Sequence, residues 1–193
     1  MSELSRGDPI EKQLKRARSG WKFRGLKRPE FAVVPEVNQE SVWDYPRPPR
    51  IEQDPSLLKI FSKENTIAKS VSSLRVLETA SPPTYYVPES DIDMQQLKPC
   101  DGYSLCEWKG EARYFSLLDD LLPIAWFYPK PFDEFSLLKD HVSFYPTRVR
   151  CILNGERVRP QPGGFYGGWI TKKIVGPFKG DLSVSDPKQG VHR

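Results

Sequence analysis

Cys106, Trp108, Lys109 and Gly110 stand together in LKPCDGYSLCEWKGEARYFSL, residues Leu97 to Leu117. A lysine three residues past a thiol can lower its pKa and stabilise a thiolate, the chemistry of a nucleophile. Cys106 and Lys109 are therefore the candidate catalytic pair. The competing reading makes Cys106 a small buried hydrophobe and Lys109 a solvated charge. No histidine is near Cys106 in sequence, so Cys–His activation has no local support, and His141 could reach it only through the fold.

A carboxylate is the next candidate. In LRVLET, strict alternation puts Leu74, Val76 and Glu78 on one face of a strand. Glu78 thus ends an apolar stripe, and a carboxylate carried inward needs a cation or several donors. Lys109 and Arg113 are the obvious partners; otherwise Glu78 reaches water at the strand end. Aromatic residues cluster in TYYVP (Tyr85, Tyr86), CEW (Trp108), RYF (Tyr114, Phe115) and AWFYP (Trp126, Tyr128). Tyrosine and tryptophan pair an apolar body with a polar tip, which suits pocket walls. Tyr85 and Tyr86 are adjacent, so in a strand they face opposite ways. The expected ligand-binding set is Glu78, Tyr85, Tyr86, Trp126 and Tyr128.

Other chemistries find less support. The acidic pairs Asp91/Asp93 and Asp119/Asp120 read as a helical turn and a hairpin tip rather than a metal site. Three cysteines and two histidines without ligand spacing make a structural zinc unexpected. There is no Gly-x-Gly-x-x-Gly, no Walker-type loop and no Gly-x-Ser-x-Gly elbow. No cofactor is implied.

The elements that must position these residues are mostly short strands. Strand character recurs at 58–61, 66–70, 74–78, 84–87, 103–108, 112–118, 124–128 and 148–153, separated by turn residues. Asn154-Gly155 suits a two-residue hairpin turn leading into 156–159. Gly110 marks a candidate bulge that would re-aim Lys109. Short helices are expected over 10–18, 89–97 and 133–139, the last sharing a face with Val142. The pattern predicts a mainly β domain, chiefly antiparallel, with short helical inserts. The stretch around Gly163, Gly164, Gly167 and Gly168 reads as a loop whose aromatics dock on the domain. VWDYPRP (Val42–Pro48) echoes AWFYPKP (Ala125–Pro131); it is either a half-domain duplication or two similar strand exits.

The 193 residues carry a net charge of +4, with a pI near 8.9. From Lys12 to Arg28 there are eight basic residues and no acid, and the remainder is slightly acidic. Residues 1–35 are therefore read as a basic, loosely held arm with little apolar surface, giving a weak contact to a polyanion. Residues 36–180 form one β-rich domain and 181–193 a tail. An odd cysteine count fits a reducing compartment. No apolar run is long enough to span a bilayer and no secretory segment opens the chain. A cytoplasmic location is expected.

RVLETASPPTYYVPESDI, KPCDGYSLCEWKGEARYFSL and IAWFYPKPFDEF together resemble domain-of-unknown-function family 427, also carried under a nucleotidyltransferase-like label. ESVWDYPRPPR and GGFYGGWITKKIVGPFKG look like its longer version. The resemblance covers about Glu40 to Gly180. It implies a β-tent, two small antiparallel sheets leaning together as in certain zinc-bearing domains, here without zinc. The family pattern maps onto Glu78, Thr79, Pro83, Tyr85, Tyr86, Pro88, Cys106, Lys109, Gly110, Trp126 and Tyr128. Glu107 stands where the pattern usually has proline, Cys100 where it tends to have serine, and the chain departs after Gly180. The family supplies no established activity. The expectation is a small-molecule-binding domain, possessing the groups for enzymatic chemistry, with Lys109 holding an anionic group. The alternatives are a protein- or nucleic-acid-binding module using the arm, and metal-dependent nucleotidyl transfer.

Overall fold

The computed structural model describes residues 9–181. Helix α1 (Pro9–Ser19) opens them. Proline at its first position, Glu11 in the first turn and Arg16 and Arg18 in the last all suit its polarity. None of its residues is buried.

The rest is strand and connection. Strand β1 (Glu40–Ser41) runs into a single 3-10 turn (Val42–Asp44), and β2 (Arg50–Asp54) follows. Then come β3 (Leu58–Ser62), β4 (Asn65–Ser70), β5 (Ser73–Glu78) and β6 (Ser81–Pro88). Two 3-10 turns (Glu89–Asp91 and Met94–Gln96) lead to the long hairpin of β7 (Leu97–Cys106) and β8 (Gly110–Leu117). Strand β9 (Ala125–Phe127), a 3-10 segment (Asp133–Leu138) and β10 (His141–Phe144) come next. The last described elements are β11 (Arg150–Leu153), β12 (Glu156–Arg157), β13 (Arg159–Pro160), β14 (Trp169–Ile170) and β15 (Ile174–Val175).

Seven strands form one antiparallel sheet in the order β2-β5-β6-β10-β9-β8-β7, and four form another in the order β12-β11-β3-β4. The fold is mainly β, as the strand pattern requires, and among the described residues there is no closed barrel. Alternation explains how the larger sheet is buried on both faces. Tyr85 and Val87 of β6 join Leu58, Ile60, Phe144 and Cys151 in a core that both sheets share. Tyr86, between them in sequence, turns to the other face with Leu74, Val76, Trp126 and Leu138. A third cluster gathers Trp43, Tyr45, Leu77 and Ile174.

Some expectations meet different structure, and one strand lies outside the sequence pattern. The helix over 89–97 is instead two 3-10 turns, because Asp93 donates its backbone N–H to the Ile67 carbonyl and its carboxylate accepts from the Gln95 N–H. The helix over 133–139 stops at Leu138, and Val142 pairs in β10 between β6 and β9. Strand β2 escapes the hydrophobic pattern because RIEQD is polar. It is an edge strand on β5, and its Glu52 is held by the Arg75 guanidinium at 2.7 Å. The arm over 1–35 also makes contacts, through Arg18 and then from Trp21 onward. Phe23 and Phe31 meet the Trp43 ring edge to face at 5.3 and 4.8 Å, and Val33 donates its N–H to the Gly176 carbonyl. The two Trp-x-Tyr-Pro stretches are not locally alike: Trp43 sits in a 3-10 turn and Trp126 in a strand. The expected tail lies, after Asp181, outside the described residues.

Candidate functional site

The β7–β8 hairpin pairs Cys106 with Gly110 and leaves Glu107, Trp108 and Lys109 as its turn. Gly110 has φ +106°, open to glycine but strained for other residues, and a Cβ there would meet the Lys130 carbonyl at 3.2 Å. The turn folds Lys109 inward, to 8 % exposure. Beside it, β5 carries Glu78 past Val76 on the same side. These strands and the end of β9 enclose a cavity of about 200 Å³. Its lining includes Glu78, Cys106, Lys109, Tyr86, Trp126 and Tyr128.

Tyr85 is placed elsewhere. Its ring lies against Trp169 at 5.1 Å and its hydroxyl donates to Asp54 Oδ2 at 3.2 Å, on the face shared with the smaller sheet. The aromatic wall is joined by Tyr145, whose ring is 4.4 Å from that of Trp126. The Trp126 indole N–H donates to the Tyr86 hydroxyl at 3.3 Å. Burial raises the pKa of Tyr86 and Tyr128, so both hydroxyls stay protonated.

The charges have an organiser that the motif reading did not include. Arg47, with its side chain fully buried, reaches Glu78 at 2.6 Å and Glu107 at 2.9 Å. The Trp21 ring covers it at 4.5 Å. Lys109 Nζ lies 3.9 Å from Glu78, an ion-pair distance longer than a hydrogen bond. Arg113, the other expected partner, pairs on the surface with Glu111. Burial opposes the charge on Lys109, but Cys106, Tyr86 and Glu78 together outweigh it and hold the pKa above the usual lysine value. With Glu78 as its ion-pair partner, Lys109 is a buried ammonium. Cys106, half-buried, lines the same cavity as Lys109 and Tyr128.

A strap closes the site from above. Gln161, Phe165, Tyr166, Gly167 and Lys179 all contribute to the lining. The glycine-rich composition of this segment signals a loop, but its destination depends on one close approach. A Cβ on Gly167 would lie 2.0 Å from the Trp126 ring, so the backbone rests directly on the indole. Gly167→Ala is expected to lower stability by about 2 kcal/mol, the usual scale of overpacking. Urea unfolding measures the loss, and near-UV dichroism should report a displaced Trp126. An unchanged midpoint and spectrum would show that the strap does not rest there. Lys179, on the same strap, is pulled below the ordinary lysine pKa by burial, with Glu78 opposing.

The acidic pairs serve local structure. Asp93 caps a 3-10 turn, Asp120 accepts from the Leu121 and Leu122 N–H groups, Ser90 donates to Asp91, and Lys63 lies 3.9 Å from Asp119. Among the described residues no group of three or more His, Cys, Asp and Glu side chains is placed to hold a metal ion. No helix among them is long and apolar enough to cross a membrane.

A mainly antiparallel β domain with a roofed cavity of aromatic walls and buried, mixed charge is the class that this geometry defines. The chain belongs to the family described as a domain of unknown function, DUF427, whose match spans residues 50–155. That span holds Glu78, Cys106 and Lys109, whereas Arg47 and the strap lie outside it. Among curated proteins none matches the chain.

Proposed function

We propose that this domain binds a small organic molecule in the cavity between β5, the β7–β8 hairpin and the strap. The observation that carries the reading is convergence: Glu78, Cys106 and Lys109, spread over three positions in two hairpins, line one aromatic-walled cavity. Apolar walls with a few polar groups at one end are the usual composition of a ligand site. The Tyr86, Trp126, Tyr128 and Tyr145 rings supply contact area, and Glu78 and Lys109 supply orientation. The Cys106 sulfur is the nucleophilic atom of the lining, and Lys109 beside it would stabilise its thiolate during a covalent step.

Protein-observed NMR with a library of small organic fragments tests the binding reading. Bound fragments should perturb the Trp126 indole N–H and the Lys109 side chain together. Cys106→Ser should preserve those perturbations, because the thiol is not required for the walls to form. Fragments that bind only elsewhere, or a library that leaves Trp126 untouched, would dismiss the site.

A further inference from the structure

Glu78 and Glu107 both turn toward Arg47, so a single guanidinium holds two carboxylates. Lys109 and Lys179 bring two further positive charges to the same lining. Arg47, Lys109 and Lys179 set against Glu78 and Glu107 leave one positive charge in excess. Lys179 is the less satisfied cation. No carboxylate among the described residues lies within ion-pair distance of it; its ammonium faces the rings of Trp21 at 4.9 Å and Tyr166 at 5.0 Å. Aromatic faces attract a cation without occupying its three N–H donors, which are open to an oxygen acceptor entering the cavity. Its position is fixed by its own backbone. The Lys179 N–H donates to the Ala80 carbonyl at 2.7 Å, and its carbonyl accepts from Gln161 Nε2 at 2.9 Å. A positioned ammonium, an unbalanced positive charge and aromatic walls describe a receptor for an anion with an apolar body.

Building on the small-molecule reading, we infer that the ligand is a singly charged organic acid, its anionic end held by Lys179 and Lys109 and its apolar body against Trp126 and Tyr145. Lys179 is the residue that selects acid over neutral analogue.

Iodoacetate and iodoacetamide differ in just this charge. With either, the thiolate sulfur bonds to the reagent's CH2 carbon, the carbon–iodine bond breaks and iodide leaves. The ratio of the two rates at one cysteine cancels that cysteine's thiolate fraction and its access. Cys100, on β7 and outside the cavity lining, is a reference within the same molecule. Peptide mass spectrometry of the native full chain reads both ratios in one sample. The iodoacetate-to-iodoacetamide ratio at Cys106 should exceed that at Cys100 by about tenfold at low salt, as expected for a nearby, partly desolvated cation. Lys179→Met should bring it within about twofold of Cys100, and Lys179→Arg should retain most of it.

Equal ratios at Cys106 and Cys100 would overturn the acid assignment and leave the small-molecule reading standing. So would a high ratio that persists in a folded Lys179→Met protein. Should that variant not fold, the comparison of the two cysteines in the parent chain decides alone. A Cys106 inert to both reagents while Cys100 reacts would overturn both readings, because the sulfur would then not face an open cavity.

Discussion

Arg47→Met is expected to lower the melting temperature by roughly 6–12 °C, which for a chain of this size corresponds to about 3 kcal/mol. Arg47 is 3 % exposed and is the hydrogen-bonded partner of both Glu78 and Glu107. Its removal leaves two carboxylates close together, each mostly out of water and neither with a cation at hydrogen-bond distance. Lys109 would remain 3.9 Å from Glu78 and could offset only part of the loss. The loss arises chiefly from the stranded charges, not from the missing contact, and that distinction can be checked. Adding Glu78→Gln and Glu107→Gln to Arg47→Met should recover more than half of the lost stability, since a neutral amide costs far less to bury than a carboxylate. Calorimetry on the single and triple variants measures both. A single variant within 2 °C of the parent, or a triple variant no better than the single, would mean that Arg47 is not what neutralises the two acids.

Arg47 also marks where the sequence stops being readable. The strands were legible because alternation of apolar and polar residues is a local signal. Leu74, Val76 and Glu78 on one side of β5 follow from period two alone, and so does the opposed placement of Tyr85 and Tyr86. What alternation does not say is which face of the sheet holds the cavity. Tyr85 therefore looked equivalent to Tyr86 in sequence, although it packs on Trp169 in the shared core. Arg47 lies between Pro46 and Pro48 in a stretch with no period, 31 residues before Glu78. Nothing local connects the two. Lys179 is hidden for the same reason, in a segment whose only regular structure nearby is the two-residue β15. The Glu78–Lys109 proximity was accessible because both sit at the ends of recognisable strands, where side chains leave the apolar stripe and need partners. The glycine-rich strap announced itself as a loop by composition. That it roofs a cavity depends on Gly167 lacking a Cβ above Trp126, a tertiary fact.

Removing residues 1–35 should destabilise the domain by roughly 4 kcal/mol, a fall in melting temperature of roughly 8–16 °C, whereas removing only residues 1–19 should cost less than about 1 kcal/mol. The density of lysine and arginine between Lys12 and Arg28 suggests a solvated arm, but charge and burial belong to different residues here. Helix α1 buries none of its side chains, and its main attachment is Arg18, whose Nε donates to the Glu107 carbonyl at 2.6 Å. Beyond it, Trp21 and Phe23 pack against the third apolar cluster, and Ala32 is buried within it. Phe23 and Phe31 each make an edge-to-face contact with Trp43, and such a pair adds about 0.5–1.5 kcal/mol beyond the area it buries. Loss of Trp21 would also uncover Arg47 and Lys179, since its ring lies 4.5 and 4.9 Å from their cationic groups. The longer deletion should therefore disturb the cavity as well as the fold, and the shorter one should not. Two truncations compared by thermal unfolding and by iodoacetate labelling of Cys106 separate these effects. If the longer truncation melts within 2 °C of the full chain and labels identically, residues 20–35 contribute nothing to the core, and the Trp43 cluster must be stable without them.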